Sequence, residues 1–267
     1  MTGTVFLVGA GPGAPDLLTL RAARLLERAD IVFHDALVPQ EILFLASKAK
    51  KFEVGKRCGR HSTAQRFINK RLADAARRHR VVVRLKGGDP MLFGRAHEEI
   101  AYLKARNVRV EIVPGVTAAL AAAAELGVAL TRRGASRSVA FLTTRTAAGE
   151  RPNEWVRAAL GADTAAIYMG AGEANEISRA LIAAGKPAST PVVVVENASL
   201  PGRRQFAGTL GTLAAMVARC ASGPAVILLG EVCRESAIIG AWPSAQSSSS
   251  RTARATPAGR ALSSSSR

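Results

Sequence analysis

Five short segments each follow a strand-like hydrophobic run, and several of them are rich in glycine with polar or charged residues beside it. The Gly87-Gly88 pair lets the backbone approach a ligand closely, and Asp89 beside it is placed to accept a hydrogen bond from a ribose or an amino group. Thr117 follows the Pro114-Gly115 turn and is predicted to cap a helix while exposing its hydroxyl and backbone N–H. Each segment alone is explained by chain turning, but together they predict a binding site: GAGPGAP, HD, GKRCGRHS, KGGDPMLFGR and PGVTAA.

The first of these segments admits two interpretations. Its glycines follow a strand and fit the permissive dinucleotide-binding fingerprint, and Asp35 lies about 20 residues further on, where a ribose-binding acid is expected. Pro12 and Pro15, however, remove N–H donors and disfavour helical geometry in the residue before each of them. A pyrophosphate would therefore find few aligned donors. The sequence favours an extended loop for another ligand, with a plain connection as the alternative.

The five segments can form a single binding site only if the strands and helices between them bring them together in the fold. Helix patterns lie between the strand patterns, which indicates an α/β fold with a largely parallel sheet. In such sheets ligands bind beyond the carboxyl ends of the strands. The strand patterns are TVFLVGA, IVFHD, KFEVG, RVVVRLKGG and RVEIVPG.

The alternation restarts after about residue 116, with SVAFLTT, TAAIYMG, PVVVVENAS and AVILLGEVC. Two α/β domains with mostly parallel sheets explain this better than one long sheet, and we predict them at 1–115 and 116–243. The last segment, 244–267, is rich in serine and arginine and too poor in apolar residues to pack. We predict that it is disordered.

The charge of the chain points to an anionic partner. Lys and Arg number 37 against 20 Asp and Glu, which gives a formal net charge of +17. Such a field attracts nucleic acid or a small, multiply charged molecule. Aromatic residues make up only 4% of the chain, and no basic stretch interleaves them as a base-stacking platform would. A small polyanion is favoured, although an arginine-rich proteome would produce the same excess.

Other classes of protein are disfavoured by what the sequence lacks. No apolar run is long enough for a membrane span, and the start of the chain has no signal-peptide pattern. Three widely spaced cysteines, without CxxC pairing, argue against a disulfide framework and against a zinc site. We expect a cytoplasmic protein with no metal.

The motifs, taken in order, resemble those of the uroporphyrinogen-III C-methyltransferase family. The resemblance runs from residue 4 to about 243 and rests on VGAGPGAPDLLTL, GKRCGRHS, VVRLKGGDPMLFGR, VPGVTAA and YMG. The second and third strings mark this branch, whereas GxGPG marks only the wider tetrapyrrole methylase group. Because no dehydrogenase-ferrochelatase module precedes the first strand, the expected match is the stand-alone enzyme and not the fused sirohaem synthase.

The resemblance implies two α/β domains around a cleft, a homodimer, and S-adenosylmethionine held folded between the domains. It implies methylation of uroporphyrinogen III at C2 and C7, giving precorrin-2 through precorrin-1 for cobalamin or sirohaem biosynthesis. This substrate carries several carboxylates and fits the small polyanion that the charge favours. The implied cofactor contacts are Pro12, Gly87, Gly88, Asp89, Leu92, Thr117, Ala118, Met169 and Ala198.

The same resemblance implies roles in catalysis. Asp35 is the candidate base, and Lys56 is the candidate acid or carboxylate anchor. Arg84 and Arg95 are implied as clamps for substrate carboxylates, against the alternative that they and Lys86 form a solvated basic rim. A pyrrole carbon is the nucleophile, so positioning supplies most of the advantage.

The sequence departs from the family pattern at three places. Ala96-His97 stands where two glycines are usual, which predicts a looser loop after Arg95. Arg132 stands where histidine is usual, and Thr144-Arg145 where a glycine-histidine pair is usual. These departures are predicted to affect substrate fit more than cofactor binding.

Two other functions remain open at this point. A related methylase acting on a later corrin intermediate or another acceptor would carry similar cofactor loops, but the branch-specific strings argue against it. A nucleic-acid-binding module would use the basic surface and tail. Its affinity would fall steeply with salt, because each phosphate contact releases counterions.

The tail offers a direct test of the domain prediction. Truncation after Pro243 is expected to leave the thermal midpoint and methyl transfer nearly unchanged, because the tail cannot bury enough apolar area to offset its ordering. Calorimetry and activity of the truncated chain check this. A large loss of either would show that the tail packs on the rest of the protein.

Overall fold

Two five-stranded β-sheets with helices on their faces form the protein, which confirms the predicted α/β class. Lys56 and the 244–267 tail lie outside the part of the chain that is described, so what was predicted for them stays a prediction. The structure is a computed structural model and describes residues 2–54, 65–146, 154–220 and 223–235.

The first sheet is entirely parallel. Its strands are β1 (Thr4–Gly9), β2 (Ile31–His34), β3 (Lys50–Glu53), β4 (Val81–Lys86) and β5 (Arg109–Val113). They lie in the order β3-β2-β4-β1-β5, as the continuous apolar runs of β1, β2 and β4 predict for strands covered on both faces. The carboxyl ends of all five strands therefore meet at one edge.

Helices cover both faces of this sheet. They are α1 (Leu20–Glu27), α2 (Gln40–Phe44), α3 (Gln65–Ala76) and α4 (Ala96–Lys104). α3 and α4 bury Leu72 and Leu103 against one face, while α1 and α2 bury Leu26 and Ile42 against the other. Each crossover helix thus returns the chain to the start of the next parallel strand.

The second sheet is mixed, and here the prediction of a mostly parallel sheet is wrong. Its strands lie in the order β6-β7-β10-β8-β9; only β6 and β7 pair in parallel, and the other three neighbouring pairs are antiparallel. The elements of this half are β6 (Val139–Thr143), α6 (Trp155–Gly161), β7 (Thr164–Tyr168), α7 (Ala174–Ala183), β8 (Pro191–Glu196), β9 (Arg204–Thr209), α8 (Leu213–Val217) and β10 (Ala225–Gly230).

The physical reason for this error lies in the burial of β8 and β10. Both strands are covered on two faces, so their sequences are continuous apolar runs that carry no sign of strand direction. β9 is an edge strand whose side chains are mostly exposed or half-buried, and its sequence gives no strand pattern. A short connection joins β8 to β9 as an antiparallel pair.

One further helix, α5 (Ala118–Leu126), links the two sheets in sequence. Ala119, Ala122 and Leu126 of this helix pack in a cluster with Val226 and Leu228 of β10. α5 therefore belongs to the core of the second sheet, although the exact division at 115/116 stays a prediction. Within the described segments, no helix is long and apolar enough to cross a membrane.

Three glycines bring the ends of β1, β4 and β5 into direct backbone contact. A Cβ added to Gly9 would lie 2.6 Å from the Gly115 Cα and 2.7 Å from the Gly88 carbonyl oxygen. Backbone atoms on both sides leave no flexible side chain that could move aside. The three strand ends are therefore packed at a distance that only glycine allows.

We expect Gly9→Ala to lower the free energy of unfolding by at least about 1–3 kcal/mol, because the methyl group overpacks a backbone contact. Gly161→Ala is the matched control, since a Cβ there has nothing within 4 Å. The control should stay within about 0.5 kcal/mol of the wild type or gain from helix propensity. Urea unfolding measures the free energy of unfolding of both variants. Equal values for the two variants would contradict the prediction, because the three loops would then separate easily.

Candidate functional site

The loops after β1 and β4 are joined by their glycines. Gly11 N–H donates to the Gly88 carbonyl (3.2 Å) and Gly88 N–H donates to the Gly11 carbonyl (2.7 Å), which forms an isolated antiparallel bridge. Gly11 and Gly88 have φ of +71° and +66°, values that residues with a Cβ rarely adopt. Pro12 and Gly87 flank this bridge, so the structure brings these two predicted cofactor residues together.

Asp89 fastens the β4 loop to the β5 loop. Its Oδ2 accepts from the Gly115 N–H (2.9 Å) and its Oδ1 accepts from the Met91 N–H (2.7 Å). The sequence suggested that this carboxylate accepts a hydrogen bond from a ligand. In the structure both oxygens already accept backbone donors, so the side chain first of all shapes the loop that contains Leu92.

Few backbone donors of the opening loop are available to an anion. The N–H groups of Ala10, Gly11 and Ala14 donate to the Lys86 carbonyl, the Gly88 carbonyl and the Ser199 hydroxyl. The two prolines of the loop have no N–H to offer. α1 begins only at Leu20, and its N-terminus is capped by the hydroxyl of Thr19, which accepts from Ala22 N–H (3.2 Å). This geometry argues against a pyrophosphate cradle, as the prolines predict.

Thr117 lies at the N-cap of α5, as predicted, but the cap is made by another residue. The Thr117 side chain does not accept a backbone N–H of its helix. Instead the Tyr168 hydroxyl accepts from Ala119 N–H (3.1 Å) and shares a 2.7 Å hydrogen bond with the Thr117 hydroxyl. Burial raises the pKa of Tyr168, against the lowering effect of these two hydrogen bonds. Tyr168 thus fixes the start of α5, where Thr117 and Ala118 lie.

Residues after β8 also reach the opening loop. Ser199 Oγ accepts from Ala14 N–H (3.0 Å), and the Leu200 side chain fills the space where a Cβ of Gly13 would lie. Glu125 of α5 accepts from Ser199 N–H (3.0 Å) and thereby holds this segment. The buried Ala198, a predicted cofactor residue, is therefore next to a direct contact between the two halves of the chain.

Unusual backbone conformations concentrate in the same loops. Among the described residues six non-glycine positions have positive φ, and all but Asn107 lie in the segments just discussed or next to them. Such conformations cost about 1–3 kcal/mol each and persist where the surroundings fix them, often at ligand sites. They are Phe93, Arg95, Asn107, Met169, Asn197 and Ser199.

Asp35, which follows β2, is connected to a buried group of charges. The Arg84 Nη2 donates to Asp35 Oδ1, and its Nε donates to Glu99 Oε1 (3.2 Å). Lys86 Nζ lies 3.3 Å from each oxygen of Glu99. The side chains of Arg84, Lys86 and Glu99 are 4%, 5% and 0% exposed, whereas Asp35 is 27% exposed. The network therefore runs from the core to the surface at Asp35.

Burial and pairing act in opposite directions on the two cations. Burial and then the neighbouring Arg84 charge lower the pKa of Lys86, and Glu99 only partly opposes them. Burial alone would also lower the pKa of Arg84, but the carboxylates of Asp35 and Glu99 outweigh it and raise that pKa. Removing one partner from such a buried group costs about 3–5 kcal/mol. The alternative of a solvated basic rim is excluded for Arg84 and Lys86.

Arg95 is the exposed cation of the predicted set. Its Nε and Nη2 donate to the two oxygens of Glu98 at 2.6 and 2.8 Å, and its side chain is 59% exposed. An exposed pair of this kind contributes about 0–1 kcal/mol to stability. Breaking the Arg95–Glu98 pair so that Arg95 binds a different carboxylate therefore costs little free energy.

Apolar side chains are exposed beside these loops. The Phe93 ring lies 5.2 Å from the Tyr168 ring, and Phe141 meets the same tyrosine edge-on at 6.2 Å. Phe93, Phe141 and the neighbouring Met169 are 39%, 36% and 42% exposed. Leu37, 53% exposed, lies against Gly87. Together these residues form an apolar surface next to the joined loops.

Two surface concavities lie elsewhere and do not mark this site. One of about 450 Å³ lies between α1 and β5, lined by residues that include Leu20 and Ile112. The other, of about 600 Å³, lies at the amino-terminal edge of the first sheet near Asp30 and Arg80. The strained loops, the shared hydrogen bonds and the buried charges place the site at the carboxyl edge instead. In the described part of the chain, no three metal-ligating side chains cluster.

The departures from the expected motif have different settings. Ala96 and His97 start α4, where Ala96 is buried in the core and His97 is exposed, and their predicted effect on how closely the loop approaches its neighbour stays a prediction. Arg132 pairs with Glu235 (2.7 Å). Thr144 has a buried hydroxyl oxygen without a hydrogen-bond partner among the described residues.

Residues 4–214 match the family described as Tetrapyrrole (Corrin/Porphyrin) Methylases. The match covers well over half of the chain, and the chain belongs to this family.

Two kinds of curated relative are similar to this chain. A uroporphyrinogen-III C-methyltransferase of Pseudomonas aeruginosa is 44% identical over 236 residues, which is 88% of this chain and 96% of that protein. A siroheme synthase of Psychrobacter cryohalolentis is 45% identical over 233 residues, which is 86% of this chain but 44% of the synthase. The chain thus spans less than half the length of that synthase.

Solved structures share the fold. Uroporphyrin-III C-methyl transferase from Thermus thermophilus, in a crystal structure complexed with S-adenyl homocysteine, has a TM-score of 0.77 and 40% identity, covering 87% of this chain and 99% of that one. A cobalt precorrin-4 methyltransferase, a cobalamin biosynthetic enzyme, has a TM-score of 0.75 and 31% identity, covering 86% and 95%.

Sequence reasoning missed two residues of this site. Glu99 lies in a helix pattern where a charge normally faces solvent, and only its helical spacing from the buried Ala96 and Leu103 signals an inward position. Tyr168 was noticed only as the first letter of YMG, although a lone tyrosine between an apolar strand and glycine needs a partner for its hydroxyl.

We expect Tyr168→Phe to keep the ring contacts with Phe93 and Phe141 but to lower the unfolding free energy by about 1–3 kcal/mol, because Ala119 N–H loses its acceptor. Since folding raises the Tyr168 pKa, the hydroxyl contribution is complete below about pH 10 and is lost as the pH rises through the folded-state value. The difference from the wild type should therefore shrink at high pH.

Urea unfolding at several pH values measures this difference. Tyr102→Phe is the control, because the Tyr102 hydroxyl makes no hydrogen bond to any described residue. An equal effect of both substitutions would contradict the capping role of Tyr168.

Proposed function

We propose that this chain transfers methyl groups from S-adenosylmethionine to carbon atoms C2 and C7 of uroporphyrinogen III, giving precorrin-2. The observation that carries the proposal is the union of the β1 and β4 loops through Gly11 and Gly88, in a chain of the tetrapyrrole methylase family. This arrangement suits a nucleoside without phosphates, because the N–H of each of these glycines donates to the carbonyl of the other and not to a phosphate.

The cofactor site in this proposal is made mainly of backbone and small residues. Pro12 and Gly87 flank the glycine bridge, Thr117 and Ala118 start the helix that Tyr168 caps, and Leu92 lies in the loop that Asp89 fastens. Met169 follows Tyr168, and Ala198 precedes Ser199, which bonds to the opening loop. The residues present therefore fit S-adenosylmethionine, which supplies a methyl group on a sulfonium when it is bound.

The proposed substrate surface combines apolar and cationic residues. The exposed Leu37, Phe93, Phe141 and Met169 offer contact to the apolar faces of the pyrrole rings of a tetrapyrrole. Arg95 is placed to exchange Glu98 for a substrate carboxylate, and bidentate pairing suits that exchange. The net charge of +17 favours the approach of a polyanion.

In catalysis the protein mainly positions the reacting carbon. Asp35 is proposed to accept the proton that leaves the macrocycle, because its carboxylate is the part of the charge network that reaches the surface. The burial of Arg84 does not suit the clamp that the resemblance implies, so we assign it instead to holding Asp35. Lys56 stays the candidate acid or carboxylate anchor, and it lies outside the described residues.

The proposal includes a homodimer, which the sequence resemblance alone supports, and a cytoplasmic location, which the unpaired cysteine pattern supports. Light scattering of the purified protein tests the first; a monomeric mass at working concentration would remove it.

A second candidate function is methylation of a later corrin intermediate. The similarity to a cobalt precorrin-4 methyltransferase, at 31% identity, supports this second candidate. The 40% and 44% identities to methyltransferases named for uroporphyrin-III and uroporphyrinogen-III favour the first proposal.

The deciding experiment is incubation of the purified chain with S-adenosylmethionine and uroporphyrinogen III, with product mass as the readout. We expect two added methyl groups. Asp35→Asn should slow turnover at least about tenfold while sparing the binding of the cofactor, because a proton acceptor contributes about 10²–10⁴-fold. Asp74→Asn, in a surface ion pair with Arg77, is the control. Methylation of a corrin intermediate but not of uroporphyrinogen III would favour the second candidate function. Methylation of neither substrate would contradict both candidate functions.

Cofactor binding is tested separately by calorimetry. Gly88→Val should weaken S-adenosylmethionine binding, because valine resists φ of +66° and the glycine bridge is disturbed. Gly134→Val imposes similar backbone strain at φ +81° with nothing within 4 Å, and it should bind like the wild type. Circular dichroism checks folding of both variants. Saturable binding of NAD by the wild type would instead revive the dinucleotide interpretation.

A further inference from the structure

The buried carboxylate of Glu99 accepts four hydrogen bonds from three side chains. Its Oε1 accepts from Arg84 Nε (3.2 Å), Lys86 Nζ (3.3 Å) and Gln65 Nε2 (3.1 Å), and its Oε2 accepts from Lys86 Nζ (3.3 Å). The Gln65 amide is itself oriented by Asn69 Oδ1 (2.9 Å). Glu99 is thus held from α3 and β4 together, with no exposed surface.

These contacts determine which way Arg84 points. The guanidinium is planar and rigid, so fixing its Nε edge on Glu99 also fixes the direction of its Nη groups. Nη1 donates to the carbonyls of Leu85 (3.2 Å) and Phe33 (3.5 Å), and Nη2 donates to Asp35. The Asp35 carboxylate is therefore held at one oxygen by a group that has no freedom to turn.

Stability alone gives no reason to keep this network. Well-packed hydrophobic residues in place of a buried ion group are often neutral or stabilising, so its retention points to a role other than stability. Arg84 and Lys86 lie on the same face of the central strand β4, where the neighbouring positions of the core are apolar. Glu99 has two separable effects there: it balances the Lys86 charge, and it orients Arg84.

We infer that Glu99 is a positioning residue, which fixes Arg84 and through it the carboxylate of Asp35. The inference rests on the proposed function, in which Asp35 accepts the proton from the methylated macrocycle. Glu99 touches neither substrate nor cofactor in this arrangement. Its effect is on the rate of the chemical step and not on binding.

The test compares Glu99→Gln with a double variant. Glu99→Gln keeps the shape of the side chain and removes the charge that holds Arg84. Glu99→Gln combined with Lys86→Met removes one anion and one cation, which restores the balance of buried charge without restoring the anchor of Arg84. Lys86→Met alone and Glu111→Gln are the controls; Glu111 forms an exposed pair with Arg109 on β5.

We expect Glu99→Gln to lower kcat about ten- to a hundredfold, as for a misplaced reacting group, with KM and the Kd for S-adenosylmethionine within about twofold of the wild type. The double variant should recover the urea midpoint but keep the low kcat. Recovery of wild-type kcat in the double variant would overturn the inference, because Glu99 would then act only by balancing charge. An unchanged kcat in Glu99→Gln would overturn it as well.

A crystal structure tests the positioning role of Glu99 without measuring activity, so its result can be separated from the outcome for the proposed function. In a crystal structure of Glu99→Gln, or of Glu99→Asp if the first variant fails to fold, the Arg84 guanidinium should turn and its contact with Asp35 should be lost or displaced. An unchanged Arg84–Asp35 contact would overturn the positioning role. If the wild type methylates no tetrapyrrole while the guanidinium does turn, the proposed function fails and the positioning of Asp35 stands.

Discussion

The arrangement of this protein depends on the close approach of three backbones at the carboxyl edge of the first sheet. The ends of β1, β4 and β5 approach so closely at Gly9, Gly88 and Gly115 that a Cβ on Gly9 or on Gly115 would overlap backbone atoms. Two of the resulting loops are then joined by the paired hydrogen bonds of Gly11 and Gly88, and Asp89 adds the third. Everything assigned to the cofactor lies on or against this unit. The second half of the chain contributes by holding it, through Tyr168 at α5 and Ser199 at Ala14.

Much of this arrangement could be predicted from the sequence because it depends on residues with strong local effects. The prolines of the opening loop predicted an extended segment before the first α-helix, and the structure has only a single 3-10 turn at Pro15–Leu17 before α1 starts at Leu20, after Thr19. The continuous apolar runs of the first half predicted parallel strands with helices on both faces, and the described glycine-rich segments after β1, β4 and β5 do meet at one edge. Thr117 is at a helix N-cap, as its position after a Pro-Gly turn predicted.

The remainder depends on long-range contacts that local patterns do not record. β8 and β10 have the sequences of strands buried on both faces, and these say nothing about direction, so the mixed second sheet was missed. The inward position of Glu99 follows from its pairing with Arg84 and Lys86, two cations that sequence alone assigned to a clamp or a rim. The cap at α5 comes from Tyr168, 51 positions from Thr117 along the chain. In each case the partner, and not the residue, decides the role.

A ligand site formed by main-chain atoms diverges in a particular way. Side chains along these loops are free to drift, because the N–H and C=O groups that join Gly11 to Gly88 are common to every amino acid. The number of residues in each loop is constrained, because one inserted residue would shift Pro12 or Gly87 away from its position beside the Gly11–Gly88 bridge. The geometry of this region therefore constrains the loop lengths and the few glycines more than it constrains the side chains between them.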